Sequence, residues 1–329
     1  MNLKGRKVLV TGAGGFIGSH LVEALVSRGA EVRAMVRYNS LNRVGQLDSL
    51  DEKTKNAIEI IRGDIGDSRF VDHAVKGTDV VFHLAALITI PYSYIAPGSY
   101  VETNVVGTMN VLEAVRDSGS ARMVHTSTSE VYGSAVYTPI DEKHPLQAQS
   151  PYSASKIAAD KLVESYVRSF DVPAITVRPF NTYGPRQSPR AILPSILIQA
   201  LAGDTVRLGS LDPIRDLTYV TDTVEGFLLA ATADDLEGVT VNLGMGEGFS
   251  VQELVERVSA VVGRKLQVVV EKARIRPEAS EVTRLVSDNT MARERLGWKP
   301  RVSLDQGLRL MLPWFRDNAG YYDASRYNV

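Results

Sequence analysis

The chain has 329 residues, with 37 Lys and Arg against 38 Asp and Glu, and no cysteine. That length suits a large α/β unit with an appended lobe, and the near-balance of charge argues against a long electrostatic track for nucleic acid or anionic lipid. Without cysteine there are no disulfides, thiol nucleophiles, Fe–S clusters or thiolate zinc sites, and no metal site is expected.

The opening residues pass directly into a short apolar run ending at Gly12, too brief for the core of a signal peptide. No later run reaches the length of a bilayer span, so the expectation is a soluble, cytoplasmic protein with neither membrane nor nucleic-acid partners. Short β-rich runs follow at 7–10, 31–36, 58–62, 79–83, 122–126 and 174–177, with helical patterns at 17–27, 99–116 and 154–169 between them. The alternation predicts a doubly wound parallel sheet covered on both faces by helices. After Arg178 the texture changes to proline-rich turns, a helix at 193–202 and short mixed elements. The expected division is therefore a dinucleotide-binding unit over 1–178, carrying the catalytic residues, and a smaller mixed α/β substrate lobe over 179–329, with crossovers between them allowed. The tail beyond Phe315, with Tyr321, Tyr322 and Tyr327, shows no pattern and is expected to fray.

Between the first strand and first helix lies Gly12-Ala13-Gly14-Gly15-Phe16-Ile17-Gly18. Gly12 permits a tight turn, Gly15 lets the backbone approach a pyrophosphate, and Gly18 brings helix and strand together. The helix N-terminus then offers free N–H groups to the phosphates. An enzyme committed to NAD usually carries Asp or Glu at the end of the second strand, but here the segment holds Arg37, Ser40 and Arg43. Guanidinium groups suit a 2′-phosphate, so NADP is favoured, with NAD as the alternative. Asp64 and Ile65 at a strand end are placed for the adenine edge, and Leu84, Ala85 and Ala86 are small enough for the cofactor to lie close.

Tyr152 and Lys156 stand four residues apart and project from one helix face. A free phenol titrates near pH ~10 and is a poor base at neutrality. The Lys156 ammonium and an oxidised nicotinamide would both favour phenolate. Upstream, Thr126-Ser127-Thr128-Ser129-Glu130-Val131-Tyr132-Gly133 falls at the end of a parallel strand, where α/β enzymes place ligands. With the chain extended there, Thr128 and Glu130 share one side and Ser129 the other. Thr128 would bond a substrate hydroxyl, and Glu130 adds a second candidate base that simple hydride transfer does not need.

These segments, with Arg178-Pro179-Phe180-Asn181 through Arg186 and Arg215-Asp216 through Asp222, resemble the extended short-chain dehydrogenases that act on nucleotide sugars over almost the whole chain. The resemblance implies a Rossmann-type fold. Within the family, the stretch from Leu84 to Tyr94 and the Glu130 segment are most similar to bacterial 4,6-dehydratases of nucleotide-linked N-acetylglucosamine in legionaminic-acid-type pathways. It implies a three-step cycle with a tightly held, recycled cofactor. Tyr152 takes the O4 proton as hydride leaves C4, Glu130 removes the C5 proton as the C6 hydroxyl departs, and hydride returns to C6. Glucose-type relatives have Asp where this chain has Ser129, leaving recycled Glu130 or water to protonate the leaving group. The resemblance further implies substrate contacts by Asn181, Arg215 and Arg276, with Arg186 a weaker candidate, and a homodimer through the helices at 99–116 and 154–169. The rival readings are a nucleotide-sugar 4-epimerase and, in another class, a non-catalytic NADP-sensing regulator.

Overall fold

The β-branched runs form strands because such side chains pack well on a pleated surface. The computed structural model describes all residues except 1, 120, 276, 278, 279 and 323–329. Strands β1 (Lys7–Thr11), β2 (Glu31–Arg37), β3 (Ile58–Gly63), β4 (Val80–His83), β5 (Arg122–Thr126) and β6 (Ala174–Pro179) lie within two residues of the spans expected from sequence. Next come β7 (Asn181–Tyr183), β8 (Thr205–Leu208), β9 (Ile214–Tyr219), β10 (Thr240–Leu243), β11 (Gly248–Ser250), β12 (Gln267–Val270) and β13 (Arg284–Leu285).

The main sheet is wholly parallel in the order β3-β2-β1-β4-β5-β6-β10, the doubly wound Rossmann arrangement extended by one strand. Successive residues of its central strands feed opposite layers. Val8, Val10, Phe82 and Val124 join one core cluster, whereas Leu9, Val81 and Met123 join the other. The seventh strand, β10, comes from beyond residue 178, and the preceding helix Val220–Thr232 packs against β5 and β6. The sequence boundary at 178 thus falls at the end of β6, one residue short of Pro179, before the sheet is complete. The second lobe is smaller and mixed: β9 pairs antiparallel with β11 and parallel with β7 and β13, while β8 and β12 form a parallel pair.

Two helices position the chemistry. Pro151–Phe170 starts at a capping box in which the Ser150 hydroxyl accepts the Ser153 N–H and Pro151 occupies the first turn. The helical rod expected at 99–116 runs from Pro97 to Ser118 and includes a π-helical segment, Val101–Val106. Buried Asn104 lies in that segment, and its amide bonds Leu87 N at 2.8 Å, Leu87 O at 2.9 Å and Ser155 Oγ at 2.9 Å. It ties the loop after β4 to both helices, a use to which π-segments are often put.

The tail corrects one expectation. Tyr322 packs on Phe315 with ring centroids 5.3 Å apart and accepts a bond from Trp314 Nε1, so the chain stays docked to that point; Tyr327 lies outside the described residues. No described helix is long and apolar enough to cross a membrane.

Candidate active site

A cleft of about 880 Å³ opens at the C-terminal ends of the parallel strands and continues into the second lobe, within the size range of small-molecule sites. Its floor is the glycine loop, with Gly12, Gly15, Phe16, Ile17 and Gly18 all lining it. Gly12 has φ +68°, and a Cβ there would lie 2.8 Å from Ala85 N; one on Gly18 would lie 2.3 Å from Gly12 O. The loop is therefore pressed against both its helix and the next strand, and it fits a bound dinucleotide pyrophosphate. Gly18→Ala is expected to weaken nicotinamide-dinucleotide binding at least tenfold, as followed by fluorescence titration, and to cost about 1–3 kcal/mol of stability through overpacking.

The wall beside this loop is stitched by His83. Thr11 Oγ1 accepts the N–H groups of Leu84 and Ala85, each at 3.1 Å, so its own proton goes to His83 Nδ1 at 2.9 Å. His83 Nε2 then carries the ring proton and donates to Thr108 Oγ1 at 3.0 Å, while the Thr108 hydroxyl donates to Asn104 O. The ring is neutral, its pKa held well below 6.5 by burial and then by His125 and Lys156. Leu84 and Ala86 line the cleft from this wall.

At the adenosine end, Arg37 and Arg43 line the cleft. Arg37 is largely exposed, 3.7 Å from Asp64 Oδ2. Ser40 is an exposed turn residue, and neither it nor Asp64, Ile65 nor Ala85 is among the lining residues. Ile65 is instead buried against Gly107, where an added Cβ would meet it at 2.8 Å; it packs the interior.

The catalytic candidates converge. Thr128, Ser129, Glu130, Tyr152 and Lys156 all line the cleft. The segment after β5 is not extended as expected. Thr128 caps a 3₁₀ turn, Ser129–Tyr132, and its Oγ1 accepts the Glu130 N–H at 3.2 Å. This capping turn leaves Ser129 at the back of the cleft, 2% exposed, with Glu130 half-buried beside it. Tyr152 is also buried, and burial raises its pKa above 10, opposed by a hydrogen bond to Thr128 and reinforced by the nearby Glu130 carboxylate. Lys156 is 3% exposed. Burial lowers its pKa to about 8, with Asp160 pulling the other way. The ammonium expected to ease Tyr152 ionisation is present, but within the protein alone desolvation of the phenol dominates.

In the second lobe, Asn181 and Arg215 line the cleft. Arg215 is buried and anchored to Ile214 O at 3.1 Å and Glu281 at 3.4 Å. Arg186 does not reach the cleft lining. Its backbone is left-handed, φ +67°, and its guanidinium bonds His20 Nδ1 at 2.8 Å and Glu23 Oε2 at 2.5 Å on the first helix, so it is a clamp between lobes rather than a substrate contact. Arg276 lies outside the described residues. Sequence reasoning missed Arg190, Arg207 and Arg274, which also line this end; Arg207 could have been noticed from the polar–apolar alternation of Thr205-Val206-Arg207-Leu208, which puts its side chain on the open face.

A family model described as GDP-mannose 4,6 dehydratase matches residues 9–311. The chain belongs to that family. It is an enzyme of the extended short-chain dehydrogenase group of nucleotide-sugar dehydratases and epimerases. A dTDP-glucose 4,6-dehydratase of Xanthomonas campestris pv. campestris (strain B100) is 33% identical, over 94% of this chain and 93% of that protein. A UDP-glucose 4-epimerase of Mycolicibacterium smegmatis is 34% identical, over 95% and 99%. The structure of DesIV, a dTDP-glucose 4,6-dehydratase from Streptomyces venezuelae with NAD and TYD bound, superposes with a TM-score of 0.86 at 29% identity, covering 96% of this chain and 99% of that one.

Burial holds His20, His83 and His125 in the neutral form. Burial, then Arg186, takes His20 to about 4; burial, then Lys156, takes His125 to about 4. Unfolded histidines bind protons near pH 6.5, so between about 6.5 and 4 the unfolded state holds more protons and stability falls as pH falls. Buried Asp216 acts in the opposite sense, pushed up to about 7 by burial against three backbone N–H bonds, but it is one group against His20, His83 and His125. Denaturant unfolding at pH 5 should therefore show a net loss of stability relative to pH 7, His20 and His125 contributing about 2 kcal/mol each and His83 acting in the same direction.

Proposed function

We propose that this enzyme is a nucleotide-sugar 4,6-dehydratase acting on a nucleotide-linked N-acetylglucosamine. The observation that carries the reading is Glu130 at the cleft beside Tyr152, close enough for its charge to act on the phenol. A C4 oxidation needs one base; a second carboxylate beside it suits proton removal from C5. Thr128 orients the O4 hydroxyl and Tyr152 takes its proton. The C4 ketone acidifies C5–H, Glu130 removes that proton, and the C6 hydroxyl leaves as water. With Ser129 in place of an acid, Glu130 can return the same proton to the departing hydroxyl, and the proton needed at C5 when hydride reaches C6 equals the one Tyr152 took from O4, so the cycle releases water with no net proton change. The bound dinucleotide supplies a hydride acceptor for C4 and a hydride donor for C6, with no net redox change. Asn181 and Arg215 are the residues we assign to the substrate's diphosphate side.

We infer NADP as the cofactor from Arg37 and Arg43 on the adenosine rim; the NAD in DesIV supports the alternative. The exposed Val101 and Met109 on the rod fit the proposed homodimer. The second reading is a 4-epimerase, favoured by the near-equal identity to relatives of both names.

Mass spectrometry of a turnover mixture containing UDP-N-acetylglucosamine, GDP-N-acetylglucosamine and dTDP-glucose in competition tests the reading. Loss of water from an acetamido sugar nucleotide is the expected result. A mass-neutral epimer would establish the second reading, and the dinucleotide released on denaturation identifies the cofactor.

A further inference from the structure

Behind the Tyr152 and Lys156 pair the same helix carries a third polar group one turn further on. Asp160 is only 6% exposed and lies on the face of Tyr152 and Lys156. Its carboxylate is held from three strand-end directions. Oδ1 accepts from His125 Nε2 at 3.1 Å on β5; Oδ2 accepts from Ser127 Oγ at 2.8 Å and from Arg178 Nε and NH2 at 3.1 and 2.9 Å on β6. Arg178 is itself fixed by the Tyr132 hydroxyl at 3.0 Å, which donates to Asn242 Oδ1 at 2.7 Å on β10.

This is far more scaffolding than one helix residue needs for stability. A buried ion pair is weak evidence of net stabilisation, because desolvation offsets much of the attraction. The cluster does, however, fix one negative charge a helical turn from Lys156, which is buried and lines the cleft.

We propose that Asp160 is a positioning residue of the active site, the fixed counter-charge that keeps Lys156 an ammonium facing Tyr152 and the cofactor cleft. The charged and titratable groups around Lys156 leave that task to Asp160. On its own helix stand Tyr152 and Asp160; β4 and β5 present His83 and His125; β6 presents Arg178; the 3₁₀ turn presents Glu130; and Tyr100 packs against Tyr152. Both histidines are neutral, Arg178 is cationic, and Glu130 acts on Tyr152. Asp160 is the charge opposing the burial of Lys156.

The inference rests on Lys156 serving the Tyr152 site, but its test needs neither substrate nor turnover, so the two can fail separately. Cyanate is small enough to enter the cleft and carbamylates only neutral amines. The rate of Lys156 carbamylation, read by peptide mass spectrometry from pH 6 to 10 on the intact enzyme, reports its titration midpoint. Wild type should give a midpoint near the value of about 8; one below 7 overturns the proposal. Asp160→Asn should lower the midpoint by about one pH unit or more, making carbamylation at pH 7 about fivefold faster. Because Asn alone strands the Arg178 charge, the double variant Asp160→Asn/Arg178→Met removes both partners, and the same lowering is expected. Asp160→Glu should keep the midpoint within about half a unit of wild type. A purely structural role predicts lower melting temperatures with an unmoved midpoint, and that outcome overturns the proposal.

Discussion

Glu130→Gln is expected to stop water loss while C4 oxidation persists, so that the reduced dinucleotide accumulates by absorbance at 340 nm in a single turnover. The amide keeps the size of the carboxylate and the capped 3₁₀ turn, whose hydrogen bond uses the Glu130 backbone N–H rather than its side chain. Only the base is lost, and removal of a positioned base costs about 10²–10⁴ in rate. Removing its charge also relieves one of the influences raising the Tyr152 pKa, so the first oxidation should become no slower. Dehydration at the wild-type rate in this variant would falsify the role assigned to Glu130 and return the 4-epimerase reading to the front.

Tyr152→Phe removes the group shared by both readings. Its ring packs with Tyr100, centroids 6.2 Å apart, in a small cluster with Ile90 and Leu87, and phenylalanine preserves that packing. The influence of Thr128 on the hydroxyl is lost with it, and stability should change little. Turnover should fall about 10³-fold or more with dinucleotide binding nearly unchanged, since proton transfer at O4 loses the base assigned to it. A variant that melts several degrees lower but still turns over at a tenth of the wild-type rate would show that the phenol is structural.

Much of this site could be read before the fold was known. The glycine loop follows from turn sterics, and the Tyr152–Lys156 pairing follows from helical spacing, which applies wherever the helix lies. The six strands of the first unit were legible because central ones such as β1 and β4 appear as unbroken apolar runs and the others as short β-branched runs between helical patterns. The strand β10 was not, since a four-residue segment around Asn242 gains its place only from pairing with β6 and from the Tyr132–Asn242 bond, both long-range. The turn at Ser129 is not legible locally, because Thr128 can cap a helix start as readily as it can sit in a strand. Arg186 had the right company in sequence but not the right direction; its left-handed backbone turns it to Glu23, and nothing local announces that. Asp160 was within reach of the same periodicity that identified Lys156, one further step of four.

The return of β10 also bears on how the enzyme exchanges its ligands. The chain passes from the first sheet to the second lobe after β6, comes back after β9, and leaves again after β10. Swinging the lobes apart as two bodies on one linker would have to bend all three crossings together, while the Arg186 clamp adds a noncovalent tie. On the proposed cycle nothing requires such a swing, because the hydride goes back to the sugar that gave it and the dinucleotide stays loaded for the next round. Traffic is then confined to the mouth of the cleft, and residence of the cofactor and throughput of the sugar nucleotide become separable quantities in a single, closed frame.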